Sequence, residues 1–516
     1  MKLNYKRTIL VGFAFFLISA FWQAYDNAIP LTLINKFGMN QTWSGVIMAI
    51  DNVLAVFLLP LFGALSDKRN TRIGRRTPFI LVGTLLAAAA LIGLTFVDSA
   101  QLRNISAAAT IDDPAALEVI YDSQADNTLL TPEGESFVLS EVYTREEFSA
   151  ITSQITDDQG KKHTNADYTA YVIPARQAYA AQTTRENPSA LYAFIGLLLV
   201  VLLSMSLFRS PAVALMPDVT LKPLRSKANA IINLMGTAGG MLVLGLGIVV
   251  GTSSVKNSLM PYSGYFGSVV GIMLIALLVF LLTVKEKKWA EEMRSESVRL
   301  GIEEQTESNE QTRRLSKAEV RSLLFILASV ALWYFGYNAV TTKYSVYASN
   351  VLHKDYNTTM LIAQGAAIIS YLPAGMLASK IGRRKTILGG VILLAAAFGC
   401  ASFMRAESPT IVMNVLFAMA GIGWATINVN SFPMVVEMSS GGDIGKYTGF
   451  YYTASMSAQI LTPMVSGFIM DKLGMPVLFP YAAIFVALAF ITMLLVRHGD
   501  SKVAAKTGLE AFDTDD

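Results

Sequence analysis

Residues Gly63 to Ile80 read GALSDKRNTRIGRRTPFI, and this stretch says more about the fold than any other part of the sequence. It is a short, strongly basic loop between two long apolar segments. A shorter version, GMLASKIGRRKT, runs from Gly375 to Thr386. The first motif begins 55 residues after the start of the first apolar span, near residue 8. The second begins 54 residues after the start of the seventh span, near residue 321. The sequence therefore predicts two similar halves, each with one basic loop after its second apolar span.

The bulk composition is that of an integral membrane protein. The chain has 516 residues, of which 53% are hydrophobic and only 15% are charged, and its mean hydropathy is +0.46. Such values disfavour a large soluble enzyme. One cysteine and three scattered histidines predict no internal disulfide and no metal site.

Twelve segments are long and apolar enough to cross a bilayer as helices, which needs about 20 residues each. We expect an all-α polytopic membrane protein of two six-helix bundles. The segments lie near residues 8–36, 42–65, 77–97, 189–216, 228–251, 263–284, 321–349, 357–379, 386–404, 410–436, 447–470 and 477–497.

Lysine and arginine cluster in one set of loops, including both basic motifs, whereas the opposite short loops carry single positive charges. The positive-inside rule therefore predicts a multi-pass protein of the cell membrane with both termini in the cytoplasm.

Two polar segments interrupt the spans and set the predicted domains. Residues 98–188 are acidic and should form an extracellular insert, a small α+β or irregular lobe, in which Thr144 and Glu147 match a capping box. Residues 285–320 suit a cytoplasmic linker that is amphipathic or partly disordered. The predicted domains are 1–97 (helices 1–3), 98–188, 189–284 (helices 4–6), 285–320, 321–498 (helices 7–12) and a cytoplasmic tail, 499–516.

The two basic motifs resemble the loop signature of the major facilitator superfamily. The resemblance implies a cytoplasmic gate motif, in which Asp67 pairs with an arginine or caps a helix and the contact breaks when that side opens. In the second copy Ser379 replaces the acid, so its contacts should be weaker. The gate residues would be Gly63, Asp67, Gly74, Arg75, Arg76, Gly375, Gly382, Arg383 and Arg384.

Three stretches resemble a narrower group, the plant-type sucrose carriers with their animal and bacterial relatives, and more distantly the glycoside–pentoside–hexuronide cation symporters. They are SDKRNTRIGRRTPFI (66–80), RSPAVALMPDVTLKPLRSKANA (209–230) and GIGWATINVNSFPMVVEM (421–438).

The chain departs from those carriers at the positions that bear their charges. Val213 stands where plant carriers have an arginine, and Leu202 stands where they have an acid, so Arg209 is the candidate replacement for the basic group. Ala55 and Leu59 occupy the acidic positions of the sodium-coupled branch, which argues against a sodium site of that type.

Charges inside spans are costly, about 2.5–3.5 kcal/mol each on insertion scales, and so need a reason. Asp26 lies on one face of span 1 with Ser19, Gln23 and Asn27, and Asp51 repeats the pattern in span 2 beside Asn52. We expect Asp26, Asp51, Arg209 and Lys343 to take part in proton coupling. A structural ion pair that fixes helix packing is the alternative.

Polar and aromatic side chains in the spans predict a sugar ligand, since sugars bind through hydrogen bonds and through packing on aromatic faces. Packing between helices, or a place in an aromatic belt at the membrane interface, is the alternative role for any single aromatic residue. The candidates are Trp22, Gln23, Asn27, Asn52, Tyr334, Asn338, Gln364, Trp424, Asn428 and Gln459.

The sequence thus predicts a secondary transporter, not an enzyme, that takes up a small glycoside or disaccharide with protons by alternating access. We expect a monomer whose partners are the sugar and the bilayer, with no cofactor and no nucleic acid. Two alternatives remain: a proton-antiport exporter of sugars or drugs, and a non-transporting membrane sensor that uses the insert.

Overall fold

The structure, a computed structural model, describes residues 3–69, 71–156, 160, 162–221, 224–300, 315–436, 438 and 444–499. Within these ranges it contains twelve helices of 17 to 31 residues, one for each predicted span, and ten helices are apolar and long enough to cross a membrane. The predicted all-α membrane fold is confirmed. The linker residues 301–314, the tail from residue 500 and the side chain of Ser379 lie outside the described part.

The chain begins with three long helices and continues into the insert. The long helices are α1 (Tyr5–Asn35), α2 (Gln41–Asp67) and α3 (Thr77–Asn104). The insert elements are α4 (Pro114–Gln124), β1 (Thr128–Leu130), β2 (Ser136–Val138), α5 (Leu139–Val142), α6 (Arg145–Ser149), β3 (Gln154–Thr156), β4 (Lys162–Thr164) and α7 (Ile173–Glu186). Strands β1–β2 and β3–β4 form two antiparallel hairpins.

Nine helices follow the insert, and with the first three they form two halves. The N-terminal half is completed by α8 (Ser189–Val219), α9 (Arg225–Val250) and α10 (Ser263–Thr283). The short helix α11 (Glu286–Arg299) lies in the predicted linker. The C-terminal half consists of α12 (Lys317–Tyr347), α13 (Tyr356–Ile381), α14 (Arg383–Ala401), α15 (Thr410–Val436), α16 (Ile444–Leu473) and α17 (Leu478–Leu494).

Helix packing repeats from one half to the other. In the N-terminal half α1 packs on α9 and α10, and α3 packs on α8 and α10; in the C-terminal half α12 packs on α16 and α17, and α14 packs on α15 and α17. Each half has its own buried apolar core. This correspondence is what the duplicated basic motif predicts.

Helices α13 and α16 carry polar residues within their spans, among them Gln364 and Gln459. Both lie at the junction of the halves, where α13 packs on α9 and α16 packs on α2. A helix that faces protein and a polar cavity can carry more polar residues than one that faces lipid. The polar residues of α13 and α16 agree with this position.

Helix α3 is longer than predicted, ending at Asn104 and not near residue 97. Two polar residues that marked the predicted end are satisfied inside the helix. The Lys36 ammonium donates to the Asp98 carboxylate at 2.6 Å, and the Gln101 side chain donates to the Lys36 backbone carbonyl at 2.8 Å. Because these partners lie on another part of the chain, local sequence does not reveal them.

The insert is a mixed α and β lobe with its own small core, which includes Leu117, Ile120, Phe148 and Val172. The predicted capping box is confirmed, since the side chains of Thr144 and Glu147 each bond the backbone N–H of the other residue. We call the end of the bundle that carries the insert the insert end, and the opposite end, with the Gly74–Arg76 loop, the basic end.

Several hydrogen bonds join the two halves at the insert end. Asp471 accepts from the backbone N–H groups of Gln41 and Thr42, both at 2.8 Å. On the other side of the interface, Ser253 donates to Asp355 at 2.7 Å, and the hydroxyls of Thr252 and Tyr356 lie 2.7 Å apart. The halves are therefore in direct polar contact at this end.

Candidate functional site

A cavity of about 520 Å³ lies between the two halves, near the middle of the helix bundle. Its walls come from α1, α8 and α9 on one side and mainly from α12, α13 and α15 on the other. A central cavity at the interface of two repeats is where carriers of this architecture bind solutes.

The N-terminal wall carries most of the predicted polar face of α1, except Asn27. Ser19, Trp22, Gln23 and Asp26 all line the cavity. Their spacings of three and four residues place them on one side of a helix, so a single helix delivers an acid, an amide, a hydroxyl and an indole to the same space. The Asp26 side chain therefore faces the cavity between the halves.

Arg209 enters the same wall from α8. Its guanidinium carbon lies 5.7 Å from the centroid of the Trp22 ring, a cation–π geometry. Asp26, Asp51 and Arg209 are close enough to interact electrostatically. The predicted acids of spans 1 and 2 therefore share one charged cluster with a base.

Asp51 does not line the cavity as Asp26 does. It is half-buried on α2, and Asn52 donates to one of its carboxylate oxygens at 2.8 Å. Asn52 is thereby an orienting partner of Asp51. This arrangement differs from its predicted role as a substrate contact.

The C-terminal wall is largely aromatic. The rings of Tyr337 and Trp424 are stacked, with centroids 3.7 Å apart and planes 3° from parallel, and both line the cavity. Tyr334 packs edge-on against Trp424 at 5.1 Å and is itself buried. It supports this pair and does not line the cavity.

One direct hydrogen bond crosses the cavity between the two walls. Gln364 of α13 donates through Nε2 to Oε1 of Gln23 at 2.6 Å. Both side chains were candidate ligands, and both line the cavity. A hydroxylated ligand between these walls would compete for the same amide groups.

The structure does not bring all candidate ligands to this cavity. Trp22, Gln23, Gln364 and Trp424 line it, whereas the remaining six do not. Helical geometry explains the difference, because only the side chains on one face of a helix can point toward the cavity, and polar residues also occur outside that face. The six are Asn27, Asn52, Tyr334, Asn338, Asn428 and Gln459.

Lys343 lies away from the central cavity, in the contact at the insert end. Its ammonium donates to the backbone carbonyl of Gln41 at 2.6 Å and is fully buried. Asp471 is its nearby acidic neighbour. The structure therefore places Lys343 apart from the other three coupling candidates, Asp26, Asp51 and Arg209.

Sequence reasoning missed several polar residues of the cavity. Asn233 and Thr237 of α9 and Tyr371 of α13 all line it. Asn233 and Thr237 are four residues apart, with Gly236 and Gly240 on the same face. The helical spacing that identified the α1 face was therefore also present in α9.

The first basic motif forms a cluster of ion pairs within the N-terminal half. Arg76 pairs with Asp67, as predicted, and with Asp218 of α8 at 2.8 Å. Arg75 binds Asp218 at 2.5 Å. Burial alone would lower the pKa of Arg75, but its bonds to Asp218 raise that pKa above its ordinary value.

Glu286, the first residue of α11, caps the start of α3. Its carboxylate accepts from the backbone N–H groups of Arg75, Arg76 and Thr77 at 2.7 to 2.8 Å. A negative charge at a helix N-terminus is favourable. Gly74 permits this approach, because a Cβ at that position would overlap the Glu286 carboxylate. Sequence reasoning placed Glu286 only in a polar linker.

The second basic motif makes different contacts from the first. Arg384 donates to the carbonyl of Leu494 at 2.7 Å, at the end of α17. A cation at a helix C-terminus complements its dipole. Gly382 joins α13 to α14 and Arg383 is buried. The two motifs therefore occupy equivalent places in the halves but bind different partners.

Comparison with known proteins agrees with this architecture. The family model of the Major Facilitator Superfamily matches residues 177–370 and 355–513, and a model described as MFS/sugar transport protein matches residues 10–102. The inward-open structure of the xylose transporter XylE from E. coli superimposes with a TM-score of 0.59, at 13% identity, over 97% of both chains.

Matches to individual relatives are partial. The uncharacterized protein YqgE of Bacillus subtilis is 28% identical over 195 residues, which cover 35% of this chain and 44% of that protein. The human proton-associated sugar transporter A is 37% identical over 75 residues, or 14% of this chain and 10% of that protein. The chain spans less than half the length of these curated relatives.

The family model covers well over half of the sequence, and the similarity in fold to the xylose transporter extends over nearly the whole chain. The duplicated loop motif, the paired halves and the central cavity agree with this family match. This chain is therefore a multi-pass membrane protein of the Major Facilitator Superfamily, a family of transporters.

Proposed function

We propose that the protein is a proton-coupled carrier that takes up a small glycoside or disaccharide by alternating access between its two halves. In this proposal the basic end faces the cytoplasm and the insert end faces outward. The observation that carries it is the position of Asp26, which lines the central cavity together with Arg209 and the stacked pair of Tyr337 and Trp424.

The size and lining of the cavity support a sugar. Its volume of about 520 Å³ falls within the range of about 300–1,000 Å³ that is typical of small-molecule sites. The C-terminal wall offers flat aromatic faces, and the N-terminal wall offers amide and hydroxyl groups. Partial similarity to a protein named as a proton-associated sugar transporter points in the same direction.

The proton step is assigned to the charged cluster. Asp26 in its protonated form is neutral, and the carboxylate that forms on proton release gains the attraction of Arg209 nearby. Proton binding at this acid therefore changes the net charge of the wall that faces the ligand. A carrier couples two solutes when the charge state of one site changes the affinity of the other.

The direct test is transport by purified protein in liposomes. Wild-type protein should take up sugar against a gradient when the outside is acidic, and sugar addition should move protons inward. Asp26→Asn mimics the protonated form permanently, so it should lose accumulation, by tenfold or more, while keeping sugar exchange between equal concentrations. Normal uphill transport by Asp26→Asn would refute the assignment.

A matched control is Asp113→Asn, which changes an acid on the insert surface that caps α4. This variant should accumulate sugar as the wild type does. Inside-out vesicles test the direction of flux, because an exporter would move protons opposite to the sugar. A protein without any flux, whose output depends on the insert, would favour the sensor alternative.

A further inference from the structure

The insert contacts both halves of the molecule, although the chain joins it only to the N-terminal half. It leaves that half after α3 and re-enters it at α8. Neither connection requires a contact with α16 or α17. A contact with the C-terminal half is therefore a separate feature that needs its own explanation.

The insert is firmly attached to the N-terminal half through α7. Gln177 donates to the Asn35 side chain at 3.0 Å, and Gln101 of α3 donates to the hydroxyl of Thr184 at 3.0 Å. The α1–α2 loop approaches so closely that a Cβ at Gly38 would overlap the backbone of α7. The insert and this half should consequently move as one body.

The turn of the first insert hairpin reaches the other half. This turn, residues 131–135, joins β1 to β2, and the backbone N–H of Met475 donates to the carbonyl of Pro132 at 2.7 Å. Met475 lies between α16 and α17 of the C-terminal half. This hydrogen bond across the interface joins two backbone groups.

Two glycines make the contact close. A Cβ at Gly474 would overlap the carbonyl oxygen of Glu133, and a Cβ at Gly134 would lie 3.0 Å from the Gly474 nitrogen. Both glycines have positive φ angles, +92° at Gly134 and +85° at Gly474. The two backbones therefore touch where side chains would keep them apart.

We propose that residues 131–135 form a strap that fastens the insert to the C-terminal half and holds the insert end closed. The strap lies beside the contact of Asp471 with the start of α2, and together they surround a cavity of about 230 Å³. If the halves separate at this end, the Pro132–Met475 hydrogen bond must break. The insert thus biases the equilibrium of alternating access toward the conformation seen here.

This inference rests on the proposed carrier cycle only in assuming that the two halves move apart at the insert end. The test needs neither sugar nor protons. Spin labels at Lys256→Cys and Glu407→Cys, two exposed positions on opposite halves at this end, report the separation by pulsed electron resonance. The exposed native Cys400 is first replaced by serine.

Gly474→Ala should break the strap and shift the distance distribution toward longer values, with an increase of about fivefold in the open population for the loss of one backbone contact. Gly134→Ala should act in the same way from the other side of the contact. The matched control is Gly160→Ala, which has a comparable φ of +76° but, among the described residues other than its chain neighbours, no atom within 4 Å of the added Cβ.

Unchanged distances in a folded Gly474→Ala or Gly134→Ala variant, or an equal shift in Gly160→Ala, would overturn the proposal. Hydrogen exchange of the unmodified protein adds a measurement without substitution. The Met475 amide should be protected, and exchange at the rate of a free loop would also overturn it. If sugar uptake is absent but the strap variants still open the insert end, the proposed function fails and this inference stands.

Discussion

The carboxylate of Asp471 accepts a hydrogen bond of 2.8 Å from the backbone N–H of Thr42, so that an acid of the C-terminal half caps the first turn of α2 in the other half. The Thr42 hydroxyl also donates to this carboxylate. Lys343 binds the carbonyl of Gln41 in the same contact. The charged residues at the insert end therefore act on a helix terminus across the interface.

Removal of this cap should open the insert end. Asp471→Ala deletes three hydrogen bonds to a charged group, each worth about 1.5–3 kcal/mol, so the open population should rise by tenfold or more. The label pair at positions 256 and 407 measures it. Asp113→Ala, which removes a cap inside the insert, should leave the distances unchanged. A result in which Asp471→Ala stays closed would contradict the role given to this contact.

Trp424 should contribute to sugar affinity through its exposed face in the cavity. Trp424→Ala removes a large apolar surface and the stacked partner of Tyr337. Because each tenfold change in affinity corresponds to about 1.4 kcal/mol, loss of this packing should weaken binding by about tenfold or more. Isothermal titration with mono- and disaccharides tests this expectation.

Trp43→Ala is the control for that experiment. Trp43 is 62% exposed at the start of α2 and lies outside the residues that line the cavity. Its replacement should leave the affinity unchanged. Equal losses in both variants would indicate a general effect of tryptophan removal and would argue against the aromatic wall as a ligand surface.

Glu286 should stabilise the N-terminal half through its cap on α3. Glu286→Ala leaves buried backbone donors at residues 75–77 without their acceptor, which should cost about 3 kcal/mol. Thermal unfolding in detergent, followed by size-exclusion chromatography, should show a lower midpoint. Glu291→Ala, an exposed acid on the same helix, should not change the midpoint. Equal midpoints in both variants would contradict the cap.

His353, which follows α12 at the insert end, should make stability depend on pH. Burial lowers its pKa below the ordinary value of 6.5, so the unfolded chain binds a proton more readily than the folded protein. Stability from this residue is therefore complete above about pH 6.5 and declines as pH falls below it. Thermal midpoints between pH 8 and 5 would report the decline.

His353→Asn should flatten that pH profile, because asparagine does not titrate and tolerates the positive φ of 52° at this position. The comparison isolates the histidine, because the two proteins share every other titrating group. A slope that is identical in both proteins would show that His353 does not carry the effect.

The relation between sequence and structure differs among the candidate residues. Asp26, Gln23 and Ser19 could be predicted to share a surface because they lie on one short helical face, where spacing sets direction. Lys343 shows the opposite case. It is a single charged residue on a long apolar helix, and its surroundings depend on which neighbouring helix it faces.

The linker shows the same limit. Residues 285–320 were predicted as a polar connection, and α11 fits an amphipathic helix, but the role of Glu286 depends on the distant Gly74–Thr77 segment. Likewise, the sequence of the insert predicts a small extracellular lobe with a capping box. Its contact with Gly474 involves backbone groups, which carry no sequence signal beyond a glycine.

Sequence alone determined the apolar spans, the duplicated plan and the polar face of α1, because hydrophobic length and helical period are local properties of the chain. Only the tertiary structure decided that Lys343 and Asp471 join the halves at the insert end, that Glu286 caps α3, and that the insert reaches the C-terminal half. These contacts join residues far apart in the chain, and their partners include backbone N–H and C=O groups that every residue type supplies.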